Sequence, residues 1–246
     1  MNGKSFFVDL TKCTACRGCQ VACKQWHKLP AEKTSNWGSY QNPADLSFIT
    51  YKLVRYEEQV IRGKLDWLFF PEQCRHCTLP PCKETADDYV EGAVLQDEMT
   101  GAVLFTEKTG KMTKDQRQDV RDSCPYDIPR EGSNGIMAKC DMCIDRVHNG
   151  LLPACVLTCP TGAMNFGDRE EMMAMAKAAL GKASKQHPDA MLVDADDVRT
   201  IYLTAVDPKK YYKYLMSDAS PRTNPLFTRK DVLASLVKPF RNVMSG

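Results

Sequence analysis

Twelve cysteines in a fixed pattern constrain this sequence more than any other feature. They fall into four groups: Cys13, Cys16, Cys19 and Cys23; then Cys74, Cys77 and Cys82; then Cys124 alone; and last Cys140, Cys143, Cys155 and Cys159. A chain of 246 residues can bury a core without disulfide staples. Cysteines only two residues apart also pair poorly as intrachain bridges. The pattern therefore predicts metal binding rather than a disulfide framework.

The first group has the spacing C-x2-C-x2-C-x3-C, which is typical of a [4Fe–4S] cluster. Each iron of such a cubane needs one thiolate, and a tight loop with short spacers can supply three of them. The last cysteine of the run points away and ligates a second cluster. Cys124 and Cys159 are each followed by proline, as the last ligand often is in two-cluster ferredoxins.

This geometry predicts that cysteines are exchanged between distant groups. The predicted sets are Cys13, Cys16, Cys19 and Cys159 for cluster 1; Cys23, Cys140, Cys143 and Cys155 for cluster 2; and Cys74, Cys77, Cys82 and Cys124 for cluster 3. The three sets use all twelve thiols and leave none over.

Zinc is the alternative metal, because zinc ribbons also use pairs of cysteines with C-x2-C spacing. Twelve cysteines could hold three zinc ions, and the chain would then be a zinc-stabilised interaction module without redox activity. Against this, a C-x2-C-x2-C run is awkward for zinc, and the Cys–Pro pairs favour ferredoxin geometry. Iron and acid-labile sulfide analysis separates the two.

Residues beside the cysteines carry weaker signals. His76 is expected to be a surface imidazole, because four thiolates already complete its set. Six cations flank the cysteines and are expected to be solvated, with the alternative that they offset cluster charge: Lys12, Arg17, Arg75, Lys83, Lys139 and Arg146. Met172, Met173 and Met175 are expected to belong to a helix core rather than a metal site. No set of catalytic side chains stands out.

Composition narrows the partners and the compartment. The net charge of +2 gives no argument for nucleic acid or for an anionic membrane surface. No stretch reaches the roughly 18 apolar residues that a membrane span needs. No signal peptide is visible at Met1–Leu10. The chain is therefore expected in the cytoplasm, or exported as a passenger on a partner that carries the signal.

Hydrophobic patterning predicts a mixed α+β fold. Expected strands are 6–9, a hairpin of 47–58 with 64–70, a hairpin of 93–95 with 102–105, and strands at 162–166, 191–193 and 198–206. Expected helices are 19–26 and 169–186. An apolar stretch from Val232 to Val237 is expected to pack on the surface or on a partner.

An internal repeat predicts two related halves. In both the second and the fourth groups, a C-x2-C pair is followed by Leu-Pro, one further residue and cysteine. We therefore expect two ferredoxin-like halves with inserted β-hairpins. Residues 1–40 with 131–170 would hold two clusters, residues 41–130 would hold one, and residues 171–246 would form a C-terminal extension.

Three stretches resemble a known family. They are CTACRGCQVACKQW at 13–26, CPYDIPR at 124–130, and KCDMCIDRVHNGLLPACVLTCPTGAMNFG at 139–167. They resemble the iron–sulfur β subunit of molybdenum- or tungsten-pterin formate dehydrogenases, over roughly residues 5–167. Related subunits serve other molybdopterin oxidoreductases and hydrogenases, which leaves the same carrier role in another enzyme as an alternative.

The resemblance also implies a missing cluster. Family members usually carry a fourth [4Fe–4S] cluster, and the family spacing puts its cysteines at Ala86, Lys114, Arg117 and Val120. These positions form one complete ligand set under the exchange rule. Losing one whole set implies three clusters in this chain.

What the resemblance implies about function is a non-catalytic electron-transfer subunit. A large catalytic partner would hold the pterin-bound molybdenum or tungsten, and a soluble c-type cytochrome would accept the electrons. Membrane-bound relatives end in a transmembrane helix that is missing here. The chain therefore resembles the soluble two-subunit form of sulfate-reducing bacteria, exported to the periplasm with its signal-bearing partner.

Overall fold

The computed structural model describes residues 3–217, which form ten strands and seven α-helices. In chain order these are β1 (Lys4–Asp9), α1 (Gly18–Trp26), β2 (Leu53–Ile61), β3 (Lys64–Glu72), α2 (Pro81–Asp87), β4 (Val94–Gln96), β5 (Val103–Phe105), α3 (Lys114–Asp122), β6 (Arg130–Glu131), β7 (Met137–Ala138), α4 (Ile144–His148), α5 (Ala154–Leu157), β8 (Met164–Asp168), α6 (Arg169–Ala183), β9 (Met191–Val193), β10 (Thr200–Thr204) and α7 (Pro208–Tyr211). The predicted α+β class is confirmed. The predicted apolar stretch Val232–Val237 lies outside the described residues.

A central four-stranded sheet has the strand order β8-β1-β10-β9. Strand β1 pairs antiparallel with β8 and parallel with β10, and β9 pairs antiparallel with β10. Both central strands are buried on both faces, because their alternate side chains enter different apolar clusters. Phe6, Val8 and Tyr202 pack on one side, while Phe7 and Ile201 pack on the other.

Helix α6 covers the second face of this sheet. Met172 and Ala176 lie against Phe7 and Ile201, and both helix residues are buried. Met175, at the edge of the buried stripe of the helix, is 43% exposed. The expectation of a methionine-rich helix core is therefore right for Met172 and wrong for Met175. A step of three residues turns the side chain by about 60° around the helix axis, which moves Met175 off the stripe formed by Met172 and Ala176.

Both predicted hairpins are present. Strands β2 and β3 meet at Arg62 and Gly63, whose φ angles of 52° and 77° are those of a tight two-residue turn. Strand β2 begins at Leu53, not at residue 47 as predicted, because Ser47 and Thr50 close a separate small turn. The second hairpin joins β4 to β5.

Residues from the predicted C-terminal extension complete the central sheet, since β9 and β10 both come from it. Strand β10 lies between β1 and β9, so the sheet needs residues from both ends of the described chain. The division into three segments stays a prediction. Within residues 3–217, no helix has the length and apolar character to cross a membrane.

Two methionines of α6 provide a test of this packing. We expect Met172→Ala to lower the free energy of unfolding by about 2–5 kcal/mol, because it removes a buried side chain and leaves a cavity. Met175→Ala, on the same helix, is expected to change it by about 0.5 kcal/mol or less. Chemical unfolding of the anaerobically purified protein measures both. Equal losses would contradict the assigned orientation of α6.

Candidate metal centres

The first C-x2-C pair of each cysteine loop turns through a left-handed residue placed just before its second cysteine. These residues are Ala15, His76 and Met142, with φ angles of 53°, 47° and 66°. The left-handed backbone conformation is unfavourable for residues other than glycine. Because the same strained conformation recurs at the same position, the three loops share one shape. Such turns direct successive N–H groups into a common concavity that favours negative charge.

The thiols of Cys13, Cys16, Cys19 and Cys159 line one cavity. The first three come from the loop that joins β1 to α1, and Cys159 follows α5. Burial raises the pKa of the Cys159 thiol, but N–H groups of Met164, Thr161 and Ala163 outweigh it, so the pKa lies below its ordinary value. Hydrogen bonds therefore already favour the thiolate at Cys159.

The thiols of Cys74, Cys77, Cys82 and Cys124 line a second cavity. Cys74 and Cys77 lie in the loop after β3, and Cys82 is the second residue of α2. The N–H group of His76 donates to Cys74 Sγ across 3.3 Å. Burial raises the pKa of Cys82 to about 12 and that of Cys124 to about 11.

The remaining four thiols are the most deeply enclosed. Burial raises the pKa of Cys23 well above its ordinary value, and charge repulsion from Cys155 and Cys143 raises it further. Cys140 likewise interacts with Cys23 and Cys155. Cys23 belongs to α1 and Cys155 to α5, and these two helices pack together. The structure thus brings together the thiols of each predicted set, while their assignment to three clusters stays a prediction.

The donor groups fit iron–sulfur clusters. All twelve cysteines are free thiols. N–H donors and buried cations lie around the thiols of the first and third sets: the N–H groups of His76 and Met164, and the ammonium groups of Lys52 and Lys139. Such donors and charges are typical of the surroundings of iron–sulfur ligands.

The set containing Cys140 and Cys155 lies between the other two. Cys155 interacts with Cys19 and Cys159 of the first set, and Cys140 interacts with Cys74 of the third. The second predicted set, which contains Cys140 and Cys155, therefore adjoins both of the others, and we describe this arrangement as a row with the second set in the middle.

The four positions of the missing cysteines are occupied by two helices, and two of these positions lie in an apolar cluster. Ala86 of α2 and Val120 of α3 are fully buried and pack with Val94, Met112 and Met137. Lys114 and Arg117 also belong to α3, a helix whose N-terminus is closed by a capping box between Thr113 and Gln116. Arg117 forms an ion pair with Glu131 at 2.9 Å. This region is therefore held together by side-chain packing.

Two expectations about the flanking residues are wrong. His76 is fully buried, and its Nδ1 accepts a hydrogen bond of 3.0 Å from the N–H group of Val103. Arg75, Lys139 and Arg146 are buried rather than solvated. The loops fold these side chains inward, which adjacency to a cysteine could not indicate. The other flanking cations stay at least partly accessible: Lys12 is exposed, and Arg17 and Lys83 are half-buried.

Sequence reasoning missed one residue entirely. Lys52 precedes β2 and is only 2% exposed, yet it interacts with the thiols of Cys19, Cys155 and Cys140. Because it lies far from every cysteine in the sequence, no motif pointed to it. Only the pairing of β2 with β3 brings Lys52 beside Gln73, at the start of the loop that contains Cys74 and Cys77.

Known proteins give a consistent result. Residues 65–169 match the model of the 4Fe-4S dicluster domain. The chain is 59% identical to the formate dehydrogenase subunit beta of Megalodesulfovibrio gigas, over 87% of this chain and 99% of that protein. It is 50% identical to the formate dehydrogenase 2 subunit beta (cytochrome c-553) of Nitratidesulfovibrio vulgaris, over 86% of this chain and 97% of that protein. A nitrate-inducible formate dehydrogenase iron–sulfur subunit of Escherichia coli is 36% identical over 71% of this chain and 58% of its own length.

Buried His76 predicts a pH effect. Burial, and then the charges of Lys139 and Arg199, hold its pKa well below the ordinary value. The unfolded chain binds a proton near pH 6.5 that the folded chain does not, so stability is complete above that pH and falls below it. The loss is up to about 1.4 kcal/mol per pH unit.

We expect His76→Asn to flatten this loss of stability between pH 7 and 5.5. Asparagine also tolerates the left-handed backbone at this position. Unfolding curves measured across that range provide the test, with His187→Asn, in the turn after α6, as the matched control. An unchanged slope in His76→Asn would contradict the assignment.

Proposed function

Because this chain belongs to the iron–sulfur β subunits of formate dehydrogenase, an electron-transfer family, we propose that it carries electrons through three [4Fe–4S] clusters. The observation that carries the proposal is the grouping of twelve cysteines into three neighbouring sets of four. A row of sites is what transfer between a catalytic subunit and a separate acceptor requires.

Formate oxidation in the catalytic partner releases two electrons. When bound, each [4Fe–4S] cluster accepts and releases one electron, which allows the pair to be separated. The residues of this chain fix the spacing of the sets, exclude water by burial, and donate hydrogen bonds to sulfur. Donors such as the N–H group of His76 stabilise added negative charge and so raise the reduction potential.

The number three is supported by the apolar unit between α2 and α3. Ala86 and Val120 are buried there among apolar side chains, and Cys82, which packs in the same cluster, already belongs to the predicted third set. The pterin metal, whether molybdenum or tungsten, would belong to the catalytic subunit. The relatives are named as subunits of formate dehydrogenase, which supports a formate dehydrogenase catalytic subunit as the partner.

For the electron acceptor, the proposal is a soluble c-type cytochrome. The name of the Nitratidesulfovibrio vulgaris relative includes cytochrome c-553, which supports this class of acceptor. For the compartment, the proposal is the periplasm, reached together with a signal-bearing partner. Fractionation of cells, with the catalytic subunit followed in parallel, tests it, and recovery of both subunits only in the cytoplasm would contradict it.

Metal analysis tests the cluster count. We expect about twelve irons and twelve acid-labile sulfides per chain after anaerobic purification, because each set of four thiolates completes one cubane. Cys124→Ser is expected to lower both counts by about four, and Ser123→Ala is the neighbouring control. Sixteen irons, or zinc in place of iron, would contradict the proposal.

A second experiment tests the exchange of ligands between groups. We expect Cys159→Ser to abolish the same electron paramagnetic resonance signal as Cys13→Ser, because both thiols line one cavity. Cys23→Ser should instead match Cys155→Ser. If Cys23→Ser and Cys13→Ser removed the same signal, the exchange between distant groups would be wrong.

A further inference from the structure

Two buried lysines beside the cysteine sets have no carboxylate partner. Lys52 is 2% exposed and Lys139 is 6% exposed. Neither takes part in any ion pair of residues 3–217, although the twelve such pairs there include other buried cations. A buried ammonium without a counter-charge is strongly unfavourable. Some other negative group must therefore compensate each of them.

The hydrogen bonds of the two lysines orient them without neutralising them. Lys52 Nζ donates to Gln73 Oε1 at 2.5 Å and to the Pro71 carbonyl at 3.3 Å. Lys139 Nζ donates to the carbonyls of Val103 at 2.5 Å and Cys140 at 3.0 Å. All four acceptors are neutral oxygens. The negative charge must come from the thiolates.

Lys52 lies between the first and second sets. Its partner Pro71 lines the cavity of the first set. The thiols that interact with the charge of Lys52 are Cys19 of the first set, then Cys155 and Cys140 of the second. The Pro71 carbonyl thus holds the Lys52 ammonium at the edge of the first set, and its charge acts on thiols of both sets.

Lys139 lies between the second and third sets. Its side chain lines the cavity of Cys74, Cys77, Cys82 and Cys124. It precedes Cys140, a member of the second set, and donates to the carbonyl of that residue. Its charge acts on Cys74, Cys82 and Cys140. The two lysines thus occupy the two gaps of the row.

We propose that Lys52 and Lys139 are fixed positive charges shared between neighbouring clusters, and that each raises the reduction potentials of both clusters beside it. The inference rests on the proposed function. Reduction of a cluster adds one electron and no proton, and a nearby cation stabilises the added charge. A shared cation also weakens the repulsion between adjacent reduced clusters. Cluster 2, in the middle, responds to both lysines.

The test is a potentiometric titration of the anaerobically purified complex with its catalytic subunit. Electron paramagnetic resonance monitors the reduction of each cluster. Lys52→Met is expected to lower the midpoint potentials of clusters 1 and 2 and leave cluster 3 unchanged. Lys139→Met is expected to lower those of clusters 2 and 3 and leave cluster 1 unchanged. Lys52→Arg and Lys139→Arg keep the charge and should show smaller shifts. Lys177→Met, on the exposed face of α6, is the matched control.

The outcomes separate this inference from the proposed function. Full iron and sulfide content with three unchanged potentials would overturn the inference and leave the function standing. A shift in one cluster alone would overturn the shared role of that lysine. If the methionine variants lose iron, the potentials are measured instead in Lys52→Gln and Lys139→Gln. The glutamine side chain carries no charge but keeps an N–H donor for the same oxygens. Iron loss in the glutamine and arginine variants alike would assign both lysines to folding and overturn the inference.

Discussion

Buried negative charge is the constraint on which the rest of this structure depends. Thiolates are stable in an apolar interior only when donors and cations surround them. The chain supplies backbone N–H groups at the left-handed residues Ala15 and His76, which donate to thiols, and buried ammonium groups at Lys52 and Lys139. These groups come from loops and strand ends, so the regular elements serve mainly to hold them in position.

The central sheet holds the cysteine loops in position by joining segments that are far apart in the sequence. Strand β1 leads into the first cysteine loop, and β8 follows the last cysteine. At the start of β10, the N–H group of Thr200 donates to the carbonyl of Arg75, and its hydroxyl donates to that of Cys74. The second cysteine loop is therefore fixed by a strand from the opposite end of the described chain. Disturbing the sheet would disturb the ligands as well.

The region between α2 and α3 illustrates the opposite solution. Where relatives of this kind would need a further set of thiolates, Ala86, Val120 and Met137 pack as an ordinary apolar core. Such a core needs no counter-charge and no inward N–H groups, so a capped helix can replace a ligand loop.

The sequence by itself determined the chemistry, because cysteine spacing and Cys–Pro pairs indicated iron–sulfur ligands. Runs of β-forming apolar residues indicated β1 and β3, and a helical amphipathic pattern indicated α6. These signals are local, because they depend on neighbours a few residues apart. Tertiary structure alone decided the burial of His76 and Arg75, the place of Lys52 between two sets, and the insertion of β10 beside β1. Burial and charge balance depend on which remote segments meet, and no local pattern records that.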